Sequence, residues 1–135
     1  MSRPDTLATV VTQRSTARFD DTVSRLVAAI EDAGLRVFDV IDHRAAAIDA
    51  GLRLQPTTVV VFGSPAAGTP LMVDHPLLAL ELPLRVLVTE DEEGQVWLSH
   101  LDPHHLAVQF GVAADQAAVL GGPAKMIALA GLAQA

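Results

Sequence analysis

Residues 57–101 read TTVVVFGSPAAGTPLMVDHPLLALELPLRVLVTEDEEGQVWLSHL, and the fold turns on how this stretch is parsed. Thr57 to Phe62 is β-branched and apolar on both faces in its second half, the pattern of a central strand. Gly63 then opens a loop, residues 64–68, and Thr69 before Pro70 forms an N-cap and N1 pair that starts a helix. Pro76 interrupts that helix, which places a break near Asp74 and His75 and a second turn through Leu77, Leu78 and Leu80. Residues 84–89 and 96–101 make a hairpin around the acidic turn Asp91 to Gly94, where glycine supplies the positive φ of a tight connection.

Working outward toward the N-terminus, residues 9–12 suit a first strand near a sheet edge, because polar Arg14, Ser15 and Thr16 follow. Val23, Leu26, Val27 and Ile30 fall at i, i+3, i+4 and i+7, one face of a helix that Asp20 or Asp21 can cap and Gly34 can end. Residues 35–41 alternate imperfectly and fit a strand covered on at least one face. Asp42 is placed as N-cap of a short alanine-rich helix over residues 43–50, closed by Gly51. Toward the C-terminus, Asp102 and Pro103 repeat the N-cap and N1 device for a helix through Gln109. Residues 114–120 and 124–132 read as two short apolar helices, parted by Gly121, Gly122 and Pro123, that must cover something. The sum is one α/β (α+β) two-layer domain, with a mixed sheet containing an antiparallel hairpin and helices packed on it. Residues 1–8 are expected to be flexible.

Composition narrows function by exclusion. The 135-residue chain is half hydrophobic and 19% charged, enough for a single packed core. A net charge of −7 with nine scattered Lys and Arg argues against nucleic acid as a partner. There is no cysteine, which removes disulfides, thiolate metal sites and a Cys nucleophile. No apolar run reaches the roughly 18 residues of a membrane span, and the first residues lack a signal-peptide core, so the expected location is the cytoplasm.

Several groups carry candidate chemistry. The loop from Gly63 through Ser64 and Gly68 to Thr69 follows a strand and opens a helix, a geometry that favours an anion; the lysine of a phosphate loop is absent. Arg85 lies in the apolar segment LPLRVLV and must meet Glu81, a cross-strand group, or the carboxylate or phosphate of a ligand. Asp42 and His43 form an acid and imidazole pair at a strand end, where His43 is placed to act as acid or base. His100, His104 and His105 lie near Asp102, but residues 104 and 105 point about 100° apart on a helix, and no metal site is assigned. The run 90–93 lacks the alternating acids of a calcium loop and reads as a solvated hairpin tip. Trp97 reads as core or interface.

The order of these motifs resembles the family catalogued as domain of unknown function 302. The pair Asp42-His43, the L-x-P-T segment from Leu54 to Thr57, FGSPAAGTPLM from Phe62 to Met72 and LPLR from Leu82 to Arg85 carry the likeness. It is strongest over residues 42–102, and the family-like core is taken as 19–110. Ser64 stands where the family usually has asparagine, and His100 where it usually has tyrosine. The resemblance implies a compact α/β domain, commonly a homodimer, with no established activity. It also draws attention to His43, Gly63, Thr69 and Arg85. The expectation that results is a small anionic-ligand binding or sensing domain, with a pocket bounded by His43, Gly63, Ser64, Gly68, Thr69 and Arg85 and no cofactor named. The alternatives are an enzyme using His43 with Arg85 holding an anionic substrate, or a non-catalytic oligomerisation module.

Overall fold

The computed structural model describes residues 7–133, so the expectation for residues 1–6 lies outside the described residues. Five strands, β1 (Val10–Arg14), β2 (Arg36–Asp42), β3 (Thr57–Gly63), β4 (Leu84–Glu90) and β5 (Val96–Leu101), form one sheet in the order β1-β5-β4-β3-β2. All four pairings are antiparallel, which corrects the expected mixed sheet. The helix between β2 and β3, α2 (His43–Asp49), has seven residues and is about 10 Å long, whereas a seven-residue strand runs roughly 23 Å. The helix alone does not recross the sheet, and β3 returns antiparallel beside β2.

One face of the sheet is covered. On β3 every second side chain is buried, and Val60 and Phe62 are joined from β4 by Leu84, Val86 and Val88 and from β5 by Val96 and Leu98. Helix α1 (Phe19–Asp32) lays Thr22, Leu26 and Ile30 onto this layer, the i, i+4, i+8 stripe of an amphipathic helix. The C-terminal α5 (Gly122–Leu129) packs beside it through Met126 and Ile127, against α1 and β4. The apolar tail thus completes the core, preceded by a 3-10 turn, Ala117–Gly121. Asp20 and Asp21 do not cap α1; Arg18 holds the N-cap position without a side-chain bond, and the two acids lie in the first turn. Gly34, at φ 77°, ends the helix as the spacing predicts.

Behind α5 the chain is tied back to its beginning. Ser15 and Ala133 form a β-bridge, Thr16 N–H donates to Leu132 O at 3.1 Å, and the Thr16 hydroxyl donates to Gly131 O at 3.0 Å. Leu132 is fully buried. The buried hydroxyls of Ser15 and Thr22 satisfy one another at 2.7 Å, as a dry polar pair must.

Helix α3 (Pro65–Asp74) starts five residues earlier than the Thr69-Pro70 pair suggests. Ser64 and Pro65 are themselves an N-cap and N1 pair, and the Ser64 Oγ accepts from Ala67 N at 3.3 Å. Pro70 is accommodated inside the helix, and a 3-10 helix, Pro76–Glu81, follows the break at His75. The remaining helix, α4 (Pro103–Phe110), has Asp102 as its cap, accepting from His104 N at 3.0 Å.

Candidate functional site

A cleft of about 310 Å³ opens where β3 runs into α3 and the chain enters β4. Its walls come from separated segments: Phe38 on β2, Gly63 at the end of β3, Gly68 and Met72 on α3, Leu82 and Pro83 before β4, and Val119 from the C-terminal 3-10 turn. The volume is at the lower end of the roughly 300–1,000 Å³ of small-molecule clefts. A β-bulge between Val37 and Asp39 inserts Phe38 as an extra residue and re-aims its ring toward Gly63. Gly63 lets the ring come close, since a Cβ there would lie 3.8 Å from Phe38 Cε2 and 3.7 Å from Pro83 Cβ.

Four of the expected site residues, Gly63, Ser64, Gly68 and Thr69, line this cleft. Part of the polar groups at the loop is engaged. Ser64 turns its hydroxyl to Ala67 N, its carbonyl accepts from Ala67 and Gly68, and Pro65 has no N–H. The walls of the cleft are mostly apolar.

Arg85 does not reach it. Leu84 points into the covered face and lines the cleft, so Arg85, one residue on, points to the opposite face beside Val61. There its Nη2 donates to Glu81 Oε2 at 2.8 Å, with both side chains partly exposed. His43 is farther still. It is the exposed first residue of α2, beside the Thr57 end of β3, while the cleft lies at the Gly63 end. Six residues of strand separate the two ends, roughly 20 Å. The single pocket expected to unite His43, Arg85 and the Gly63 loop is therefore not formed.

The opposite face of the sheet holds a second, shallower hollow of about 250 Å³, lined by Val10, Val59, Arg85, Leu87, Ser99 and Leu101. Val59, Val61 and Leu87 stand outside the core there and are only part-buried. Among the histidines, His100 is buried on β5, its Nδ1 at 3.0 Å from Leu101 O, whereas His104 and His105 are exposed on α4.

At the hairpin tip, Asp91 organises the turn. Its Oδ1 accepts from Glu93 N and Gln95 N at 3.0 and 2.9 Å, and its Oδ2 accepts from the Trp97 indole at 3.0 Å. Partial desolvation pushes the carboxyl upward, but the Trp97, Gln95 and Glu93 donors and the charge of Arg14 outweigh it and hold the group below its ordinary range.

Sequence reasoning missed Phe38, Met72, Leu82, Pro83 and Val119. The broken alternation of residues 35–41 was the available trace of the bulge, and the alternation of Leu84 with Arg85 already separated that arginine from the loop.

The family model described as "Domain of unknown function DUF302" matches residues 11–128. A crystal structure of an uncharacterized conserved protein DUF302 from Bacillus stearothermophilus superposes with a TM-score of 0.75 at 15% identity, covering 92% of this chain and 96% of that one. Proteins called fluoride-specific ion channel FluC 1 from Brucella suis and Brucella abortus are each 42% identical over 113 residues, 82% of this chain. The chain spans only 43% and 41% of their length. Among the described residues no helix is long and apolar enough to cross a membrane.

Proposed function

This chain belongs to the DUF302 family, and we propose that it is a small-ligand binding or sensing domain, cytoplasmic, whose ligand seats in the cleft between β3, α3 and the start of β4. The supporting observation is the cleft itself, an apolar hollow at a strand-to-helix junction whose walls include a bulged aromatic and two glycines. Neither His43 nor Arg85 lines this cleft, so the reading assigns no acid or base step to it. The channel named in the Brucella proteins is not carried over, since this chain corresponds to less than half of each.

Thermal unfolding in the presence of a panel of small apolar and amphipathic molecules tests this reading, because a ligand of the folded state raises the midpoint by mass action. Gly68→Trp is the control: it grows a ring into the cleft from a position where a Cβ first meets Leu82 Cδ1 at 3.9 Å. Compounds that stabilise the wild-type chain should have no effect on this variant. Equal stabilisation of both would sink the proposal.

A second reading, association as a homodimer, is favoured by the uncovered face of the sheet. Asp39 and Arg85 lie on that face on either side of Val61, flanking it with opposite charges, and apolar Val59 and Leu87 stand in the next row. A two-fold partner would meet the same pair reversed, as a self-complementary interface requires. Sedimentation of Leu87→Arg against wild type distinguishes the outcomes: the variant should be lighter if this face associates, and unchanged if it does not.

A further inference from the structure

Within the cleft reading, and resting on it, we propose that the ligand is an amphipathic monocarboxylate: an apolar body in the cleft and a carboxylate at its rim held by Arg36. Arg36 begins β2 with its Cα paired to Gly63, the glycine that lines the cleft. Its guanidinium carbon stacks 4.8 Å from the centre of the Phe38 ring, and Phe38 is a wall of the same cleft. That stacking holds the planar fork in place and leaves its N–H edge free, the arrangement in which arginine binds a carboxylate through two parallel hydrogen bonds.

The charge inventory around the cleft selects Arg36. In a chain of net charge −7, an anion is held only where a cation is both close and unengaged. Arg85 is engaged with Glu81 and faces away. Arg36 has no carboxylate partner among the described residues. The start of α3 offers no full charge in its place: Pro65 has no N–H, those of Ala67 and Gly68 are taken up by Ser64, and the N–H of Ala66 is a neutral donor. The walls beyond the rim are Met72, Leu82, Pro83 and Val119, which favour hydrocarbon over a second charge. A doubly charged ligand such as a phosphate monoester or dicarboxylate would have to bury its other charge among these side chains.

The test uses the full chain and two probes of equal length, octanoate and 1-octanol, titrated calorimetrically at neutral pH. Wild type should bind octanoate roughly tenfold more tightly than octanol, the discrimination of one charge-assisted, half-exposed contact. Arg36→Gln should bring octanoate down to the level of octanol and leave octanol unchanged. Arg36→Lys should restore part of the preference, which a merely structural role for the arginine would not do. Gly68→Trp should abolish both. If octanol binds but Arg36→Gln leaves octanoate within about twofold of wild type, the assignment of Arg36 is overturned and the cleft survives. If neither probe binds the wild-type chain, the cleft reading falls and this proposal with it.

Discussion

The two faces of the sheet are built from the same residue types and have opposite fates. Val60, Val86 and Val88 are fully buried under α1 and α5, while Val59, Val61 and Leu87, their immediate neighbours in sequence, are only part-buried. Nothing in their hydrophobicity separates the two sets; only parity along the strand does. A central strand that is apolar on both faces thus announces that two things will touch it, and the chain's own helices supply one of them.

The sharpest way to break this comparison is a pair of truncations. Phe62→Ala, in the covered layer, should cost about 3–5 kcal/mol in chemical denaturation, and Leu87→Ala should cost no more than about 1 kcal/mol. A Leu87 penalty as large as that of Phe62, growing with protein concentration, would show that the second face is covered by another molecule. Next in size is Gly122→Ala. A Cβ at this position would lie 2.7 Å from Leu84 Cδ1 with Phe62 Cε2 at 3.5 Å, so either Leu84 turns aside or α5 backs away from the covered face. A loss of about 1–3 kcal/mol is expected from overpacking, and a neutral result would mean that this layer is looser than its burial implies.

On the other face Arg85→Met should change stability by less than about 1 kcal/mol, because the pair with Glu81 is solvent-accessible on both sides. A larger loss would place a buried acid next to Arg85. The smallest effect is at the hairpin tip and is read through pH. The depressed Asp91 carboxyl contributes stability that is fully present above its ordinary value of about 3.9 and is lost as pH falls through its lower folded value. Asp91→Asn should therefore flatten the acid limb of the stability profile by slightly lowering its neutral plateau, with the melting midpoint below wild type near pH 7 and the two curves converging at low pH.

Much of the fold was legible because local chemistry and tertiary structure agree. The stripe Val23, Leu26, Val27, Ile30 made α1, Asp42 and Asp102 capped the helices they precede, and Gly94 at φ 80° turned the hairpin. Strand direction was not legible, because it is set by how each connection packs against the sheet, a relation between elements and not a property of either. The site was half legible. Gly63, Ser64, Gly68 and Thr69 do line a cleft, since a strand-to-helix junction is marked by its own turn residues. Of the partners read for Arg85, Glu81 is the one it meets, and strand parity turns the residue away from the loop it was grouped with. Phe38 escaped notice because a bulge leaves only a stammer in the alternation.

The knot between Ser15, Thr16 and the last described residues bears on where this domain ends. The family model matches as far as residue 128, and Gly131, Leu132 and Ala133 beyond it close the seam against the segment leading into α1. A chain cut at the limit of recognisable kinship would leave the seat of Leu132 open and two hydrogen-bonded groups on Thr16 without partners. The physical border of the unit lies beyond the genealogical one, and any graft of this fold onto another protein has to carry those final residues with it.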